Sequence, residues 1–73
     1  MNVETIREML TRRPFEPFEV RMSNGDRYQV RHPEFAMLVP HTLVIGYADS
    51  ARISICSLLH IASLERLEVA ARP

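Results

Sequence analysis

Residues 15–34 constrain the fold of this chain most, because they have the pattern of a β-hairpin with proline near each end. Apolar and polar residues alternate on both sides of Asn24-Gly25, a dipeptide that is typical of hairpin turns. A two-residue loop at this dipeptide would pair Met22 with Arg27 and place polar groups on the apolar face. The alternation therefore predicts a three-residue, bulged loop with Gly25 in the left-handed region.

The rest of the chain predicts one helix followed by short strands. Val3, Ile6 and Leu10 have the spacing of an amphipathic helix over residues 3–13, which Pro14 would end. Strands are predicted over residues 18–22, 27–31, 35–39, 42–47 and 52–57, with tight connections between them. The segment over residues 35–39 is mostly apolar, which predicts burial on both of its faces.

The end of the chain is compatible with two predictions. Residues 57–60 form a single helical turn before a closing strand over residues 61–69, or Ser57 caps a helix that continues to Arg72. A small barrel requires a closing strand, which favours the first alternative. The chain is then one domain of 73 residues, with a helix at 1–13, a barrel at 15–69 and a tail at 70–73.

The composition excludes some classes of protein. Nine basic and nine acidic residues give a formal net charge of zero, so no overall field attracts nucleic acid or membrane. The single cysteine, Cys56, excludes an intramolecular disulfide and suits a reducing compartment. No apolar run approaches the ~18–20 residues of a membrane helix. These features predict a soluble cytoplasmic protein with no membrane partner and no cofactor.

Two hexapeptides resemble segments of short uncharacterised bacterial proteins that share RPFxPF and VxHPEF patterns. They are Arg13-Pro14-Phe15-Glu16-Pro17-Phe18 and Val30-Arg31-His32-Pro33-Glu34-Phe35. No function comes with that resemblance. The order of a helix and five or six short, bent antiparallel strands also resembles Sm-like and SH3-like small β-barrels.

The Sm-like resemblance implies a ring of subunits joined by edge strands, with RNA bound at the pore. Bacterial members carry a lysine–histidine pair in the closing segment. His60 matches that histidine, and Leu59 stands at the position of the lysine. The apolar side chain of Leu59 removes a charge that would bind phosphate.

The polar face of the hairpin carries several arginines, which leads to the hypothesis that the chain binds RNA. The residues that would contact RNA are Arg21, Arg27, Arg31 and His60. Next to Tyr28 and Tyr47, such a face would bind phosphates and stack bases. The alternative is a solvated face on which arginines pair with Glu19.

Two further groups of residues have candidate chemistry. His32, Glu34 and His60 would serve a small metal-dependent enzyme if the fold gathered them. The alternative for His32 and Glu34 is that they end a strand and bond nearby backbone. Cys56 is predicted to be a small buried residue rather than a nucleophile, since no catalytic partner is visible. No residue is assigned to catalysis or to a metal.

The apolar segments over residues 35–39 and 43–45 hold more hydrophobic surface than a core of this size easily covers, and no lysine protects their edges. They predict a subunit interface formed by edge pairing, with a well-filled core as the alternative. The favoured function is a non-enzymatic binding or assembly module that acts as a homo-oligomer. An Sm-like RNA-binding protein is the alternative, and a metal-dependent enzyme is a weaker one.

Overall fold

The computed structural model describes residues 1–67, which form one helix and six strands. The helix, α1, spans Val3–Thr11. The strands are β1 Phe18–Met22, β2 Arg27–Val30, β3 Ala36–Val39, β4 Thr42–Gly46, β5 Ile53–Ser57 and β6 Ile61–Arg66. Single 3-10 turns at Pro33–Phe35 and Leu58–His60 lead into β3 and β6.

The helix forms where its apolar spacing predicts it. The Asn2 side chain caps it by accepting a 2.7 Å hydrogen bond from the Glu4 backbone N–H. Ile6 is fully buried, and Val3 lies on the same face. The predicted end at residue 13 is wrong, because Arg12 is already extended and α1 stops at Thr11. Within residues 1–67, no helix has the length and apolar character needed to cross a membrane.

The hairpin between β1 and β2 confirms the predicted three-residue loop. Val20 pairs with Tyr28, so the apolar residues of both strands share one face. The Met22 N–H donates to the Asp26 carbonyl at 2.8 Å, and the Gly25 N–H donates to the Met22 carbonyl at 3.0 Å. Gly25 has a φ of 97°, a conformation that glycine adopts without steric cost.

The strands form two antiparallel sheets of three strands each, in the orders β2-β1-β6 and β3-β4-β5. Among the described residues these two sheets do not close on each other, so the predicted barrel is not confirmed. The chain leaves the first sheet at the 3-10 turn Pro33–Phe35, where Pro33 has no N–H to donate to a ladder. β6 confirms the closing strand as far as Arg66 and excludes the helix alternative there. The predicted strand end at residue 69 and the tail at 70–73 lie outside the described residues.

A single apolar core lies between the two sheets and under α1. Ile6 of the helix and Phe18 of β1 are among its largest fully buried side chains. α1 and every strand except β3 contribute a buried residue. The buried set is Ile6, Phe18, Val20, Val30, Leu43, Ile45, Cys56, Leu58 and Ile61.

The third strand differs from its prediction. Phe35 belongs to the 3-10 turn, and the strand begins at Ala36. The side chain of Met37 is 60% exposed, so burial on both faces is wrong for this segment. β3 packs its other face inward, through Ala36 and Leu38, and nothing among the described residues covers Met37.

The turn between β3 and β4 contains a non-glycine residue in the left-handed region, so substitutions there measure the energetic cost of that conformation. His41 has a φ of 66°, and Pro40 precedes it in the two-residue loop. Because β-branched residues are strongly disfavoured there, His41→Val is expected to lower the free energy of unfolding by about 1–2 kcal/mol. His41→Gly is expected to lower it by far less. Urea denaturation measures both, and equal losses would contradict the turn geometry.

Candidate binding surfaces

β5 has an orientation that its hydrophobic pattern does not favour. Cys56 lies opposite Leu43 and Ser54 opposite Ile45, so these two small residues share the inner face of the sheet. The side chains of Ile53 and Ile55 therefore point outward and are 60% and 69% exposed. The strand presents its two largest apolar side chains to solvent and its smaller ones to the core.

Local contacts hold β5 in this orientation. The hydroxyl groups of Tyr47 and Ser54 lie 2.7 Å apart in a half-buried position. At the end of the strand, the Leu58 N–H donates to the His41 carbonyl at 3.0 Å and continues the same register. A shift of one residue in the pairing of β5 with β4 would turn Cys56 outward and break both contacts.

Cys56 is a small buried residue of the core, as predicted from the sequence. Its side chain is fully buried. This burial raises the pKa of the Cys56 thiol above its ordinary value of 9.0. The thiol therefore stays protonated at neutral pH and is shielded from reagents in solution.

The outer side of the β3-β4-β5 sheet forms a continuous apolar surface, here called the outer apolar face. Met37, Val44 and Ile55 lie opposite one another across its three strands, and Ile53 lies beside Gly46. None of the residues of these three strands is charged. The outer apolar face consists of Met37, Val44, Ile53 and Ile55.

The opposite sheet presents a polar outer side on which the arginines are paired. The Glu19 carboxylate lies 2.9 Å from Arg21 Nε and 4.0 Å from Arg27 Nε. Its side chain is only 11% exposed, whereas both arginines are exposed. The hydrogen bond from Arg21 to Glu19 raises the pKa of the Arg21 guanidinium. Glu19 therefore neutralises part of the face that was predicted to bind phosphate.

A cleft of about 500 Å³, here called the β2 cleft, runs beside β2. Residues 27–32 form one wall, and Phe35 with residues 46–49 forms the other. The β2 cleft brings together the two tyrosines of the RNA hypothesis and two of its arginines. These residues are Arg27, Tyr28, Arg31 and Tyr47.

The other members of the RNA hypothesis lie elsewhere. Arg21 does not line the β2 cleft, because it projects from the central strand of its sheet. His60 lines a separate hollow beside the hairpin turn, together with Asn24 and Asp26. The four residues are therefore not gathered into one site.

The metal hypothesis receives no geometric support from residues 1–67. His32 lies in the β2 cleft, where its ring meets the Phe35 ring edge-on at a centroid distance of 5.6 Å. His60 lies in the other hollow. No group of three or more histidine, cysteine or acidic side chains in this part of the chain is arranged to hold a metal ion.

The interface predicted from the sequence did not include the exposed isoleucines of β5. The segments predicted for that role place Leu43 and Ile45 in the core and leave Phe35 and Met37 exposed. The alternation of Ile53, Ser54, Ile55 and Cys56 carried the signal, but the face that would be buried was not evident from it. Comparisons with protein-family models, curated proteins and solved structures found no match to this chain.

Proposed function

We propose that this chain is a non-enzymatic assembly module, built on an Sm-like or SH3-like small barrel, that self-associates through β5. The observation that carries the proposal is the exposure of Ile53 and Ile55 on a sheet face without charge. Fully burying one such side chain contributes roughly 1.5–3 kcal/mol. A second copy placed against the outer apolar face would gain part of this energy from each isoleucine.

The backbone of β5 supports the same conclusion. In an antiparallel ladder, hydrogen-bonded pairs alternate with pairs whose N–H and C=O groups point away. The bond from Leu58 to His41 sets this alternation, so Ile53 and Ile55 direct their backbone groups away from β4. The strand has no charge, proline or bulge to protect this edge. It therefore offers a second copy both hydrogen bonds and apolar contact.

The size of the chain supports an assembled state. A core of nine buried residues within residues 1–67 is small, and domains below about 70–80 residues usually need a further source of stability. The one cysteine of the chain is buried and free, so no intramolecular disulfide supplies that stability. The element order supports the barrel assignment, because a 3-10 turn leads into a closing strand that pairs with β1.

Light scattering coupled to size-exclusion chromatography tests the proposal. The particle is expected to have a mass that is a multiple of 8.4 kDa. The mass is expected to persist in about 1 M salt, where the screening length falls to about 3 Å, because apolar contacts and backbone hydrogen bonds hold the copies together. A monomer at every concentration would show that the proposal is wrong.

RNA binding is a second candidate with one supporting observation. Arg27, Arg31, Tyr28 and Tyr47 line the same cleft, so phosphate contacts and base stacking would be available together. The pairing of Arg27 with Glu19 weakens this candidate. Fluorescence anisotropy with a labelled single-stranded RNA tests it, and Arg31→Glu is expected to abolish any binding at this cleft.

A further inference from the structure

β2 is an edge strand whose outward backbone groups have no backbone partner in the described structure. The bond from Met22 to Asp26 sets the alternation of the β1–β2 ladder. Tyr28 and Val30 therefore bond to β1, whereas Gln29 directs its N–H and C=O away from it. Among residues 1–67, no backbone hydrogen bond outside the regular ladders reaches Arg27, Gln29 or Arg31.

The β2 cleft follows this free edge. All six consecutive residues from 27 to 32 line it, although neighbouring side chains of a strand point to opposite faces. A groove is lined in this way when it runs along the edge of a strand rather than across one face. The four residues of β2 extend for roughly 13 Å, the length over which another strand would pair.

The charges of the cleft define what would bind there. Arg27 and Arg31 lie on the β2 wall, and Asp49 is the one carboxylate among the described residues that line the cleft. The Arg31 guanidinium donates to the Gln29 side-chain oxygen at 2.8 Å. Within residues 1–67, no carboxylate lies within 4.0 Å of Arg31. A negatively charged side chain would therefore find an available partner at Arg31.

The same arginines disfavour a second copy of this chain at the edge. Antiparallel pairing of two β2 strands centred on Gln29 would place Arg27 of one copy opposite Arg31 of the other. Like charges directly opposite each other destabilise a pair of strands. The edge of β2 is thus suited to a strand of opposite charge.

We propose that the β2 cleft binds an extended, acidic segment of another protein, which adds as a strand to β2. The backbone of the segment bonds to the outward N–H and C=O groups of Gln29, and its acidic side chains contact Arg31 and Arg27. Alternate apolar side chains meet Phe35 and Tyr47 on the wall opposite β2. This binding does not depend on self-association, because no residue of β5 lines the cleft.

Fluorescence anisotropy at low salt tests the charge of the segment. The probe is a labelled eight-residue peptide of alternating glutamate and valine, and a lysine–valine peptide is its matched control. Only the glutamate peptide is expected to bind. Arg31→Glu is expected to weaken binding by roughly fivefold or more, since it places like charges opposite each other. Arg7→Glu makes the same charge change on α1 and is expected to leave binding unchanged.

Amide hydrogen exchange tests strand addition itself. In the free protein the Tyr28 amide is expected to be protected and the Gln29 amide to exchange rapidly. The glutamate peptide is expected to protect Gln29 as well. Peptide binding that leaves Gln29 unprotected would overturn the proposal. So would binding of a labelled single-stranded RNA octamer that is lost in Arg31→Glu while the glutamate peptide fails to bind, a result that favours the RNA candidate.

Discussion

Replacing Ile55 by arginine is expected to reduce the assembled particle to the 8.4 kDa monomer. The Ile55 side chain is 69% exposed and lies at the middle of the β5 edge. An arginine there would place a charge inside the proposed interface, where no carboxylate of β3, β4 or β5 could pair with it. Light scattering over a range of protein concentrations measures the effect.

The controls for Ile55→Arg separate assembly from folding. Because Ile55 does not contribute to the core, the substitution is expected to leave the circular dichroism spectrum of the folded chain unchanged. Thr5→Arg adds the same charge on the exposed side of α1 and should leave the mass of the particle unchanged. An Ile55→Arg particle that keeps its full mass would place the interface elsewhere. The monomeric variant should still bind the glutamate peptide at the β2 cleft.

Phe18→Ala is expected to unfold the chain at 25 °C. Phe18 is fully buried and contacts the Phe15 ring at a centroid distance of 6.1 Å. Removal of a buried phenylalanine side chain costs about 3–5 kcal/mol. A core of this size rarely supplies more than about 3–5 kcal/mol in total, so the loss approaches the whole stability. Urea denaturation followed by circular dichroism, at one fixed protein concentration, measures the outcome.

Two variants calibrate that result. Phe18→Leu keeps most of the apolar volume and is expected to remain folded, with a loss of about 1–1.5 kcal/mol. Phe35→Ala removes the same side chain from an exposed 3-10 turn, and its loss is expected to stay within about 1 kcal/mol. A Phe18→Ala chain as stable as Phe35→Ala would show that the core is centred elsewhere.

The elements set by local chemistry were predictable from the sequence. The spacing of Val3, Ile6 and Leu10 predicted α1, because it places their side chains on the one face that packs against the core. Gly25 provides the left-handed residue of the bulged loop, and the parity of the alternation excluded a two-residue loop. The last strand at Ile61 was predicted because a small barrel requires one, and in the structure it pairs with β1. Each of these predictions depends on neighbours within a few residues or on one partner strand.

The two surfaces required information that the sequence does not contain locally. Ile53 and Ile55 look like core residues by hydrophobicity, and only pairing with β4 shows that Ser54 and Cys56 take the inner face. The β2 cleft depends on how the first sheet lies beside the connection that carries Tyr47, some twenty residues further along the chain. The split into two sheets at Pro33 decides both arrangements.

The positions of β2 and β5 in different sheets have a consequence for recognition. Copies that joined through β5, as proposed, would leave the cleft of every subunit open, and the assembled particle would then be multivalent. A partner that carries several acidic segments on a flexible chain would engage a second cleft at high effective concentration once the first is occupied. Weak individual contacts to Arg27 and Arg31 would then add up to tight and selective capture of polyacidic chains. A single subunit would release them readily.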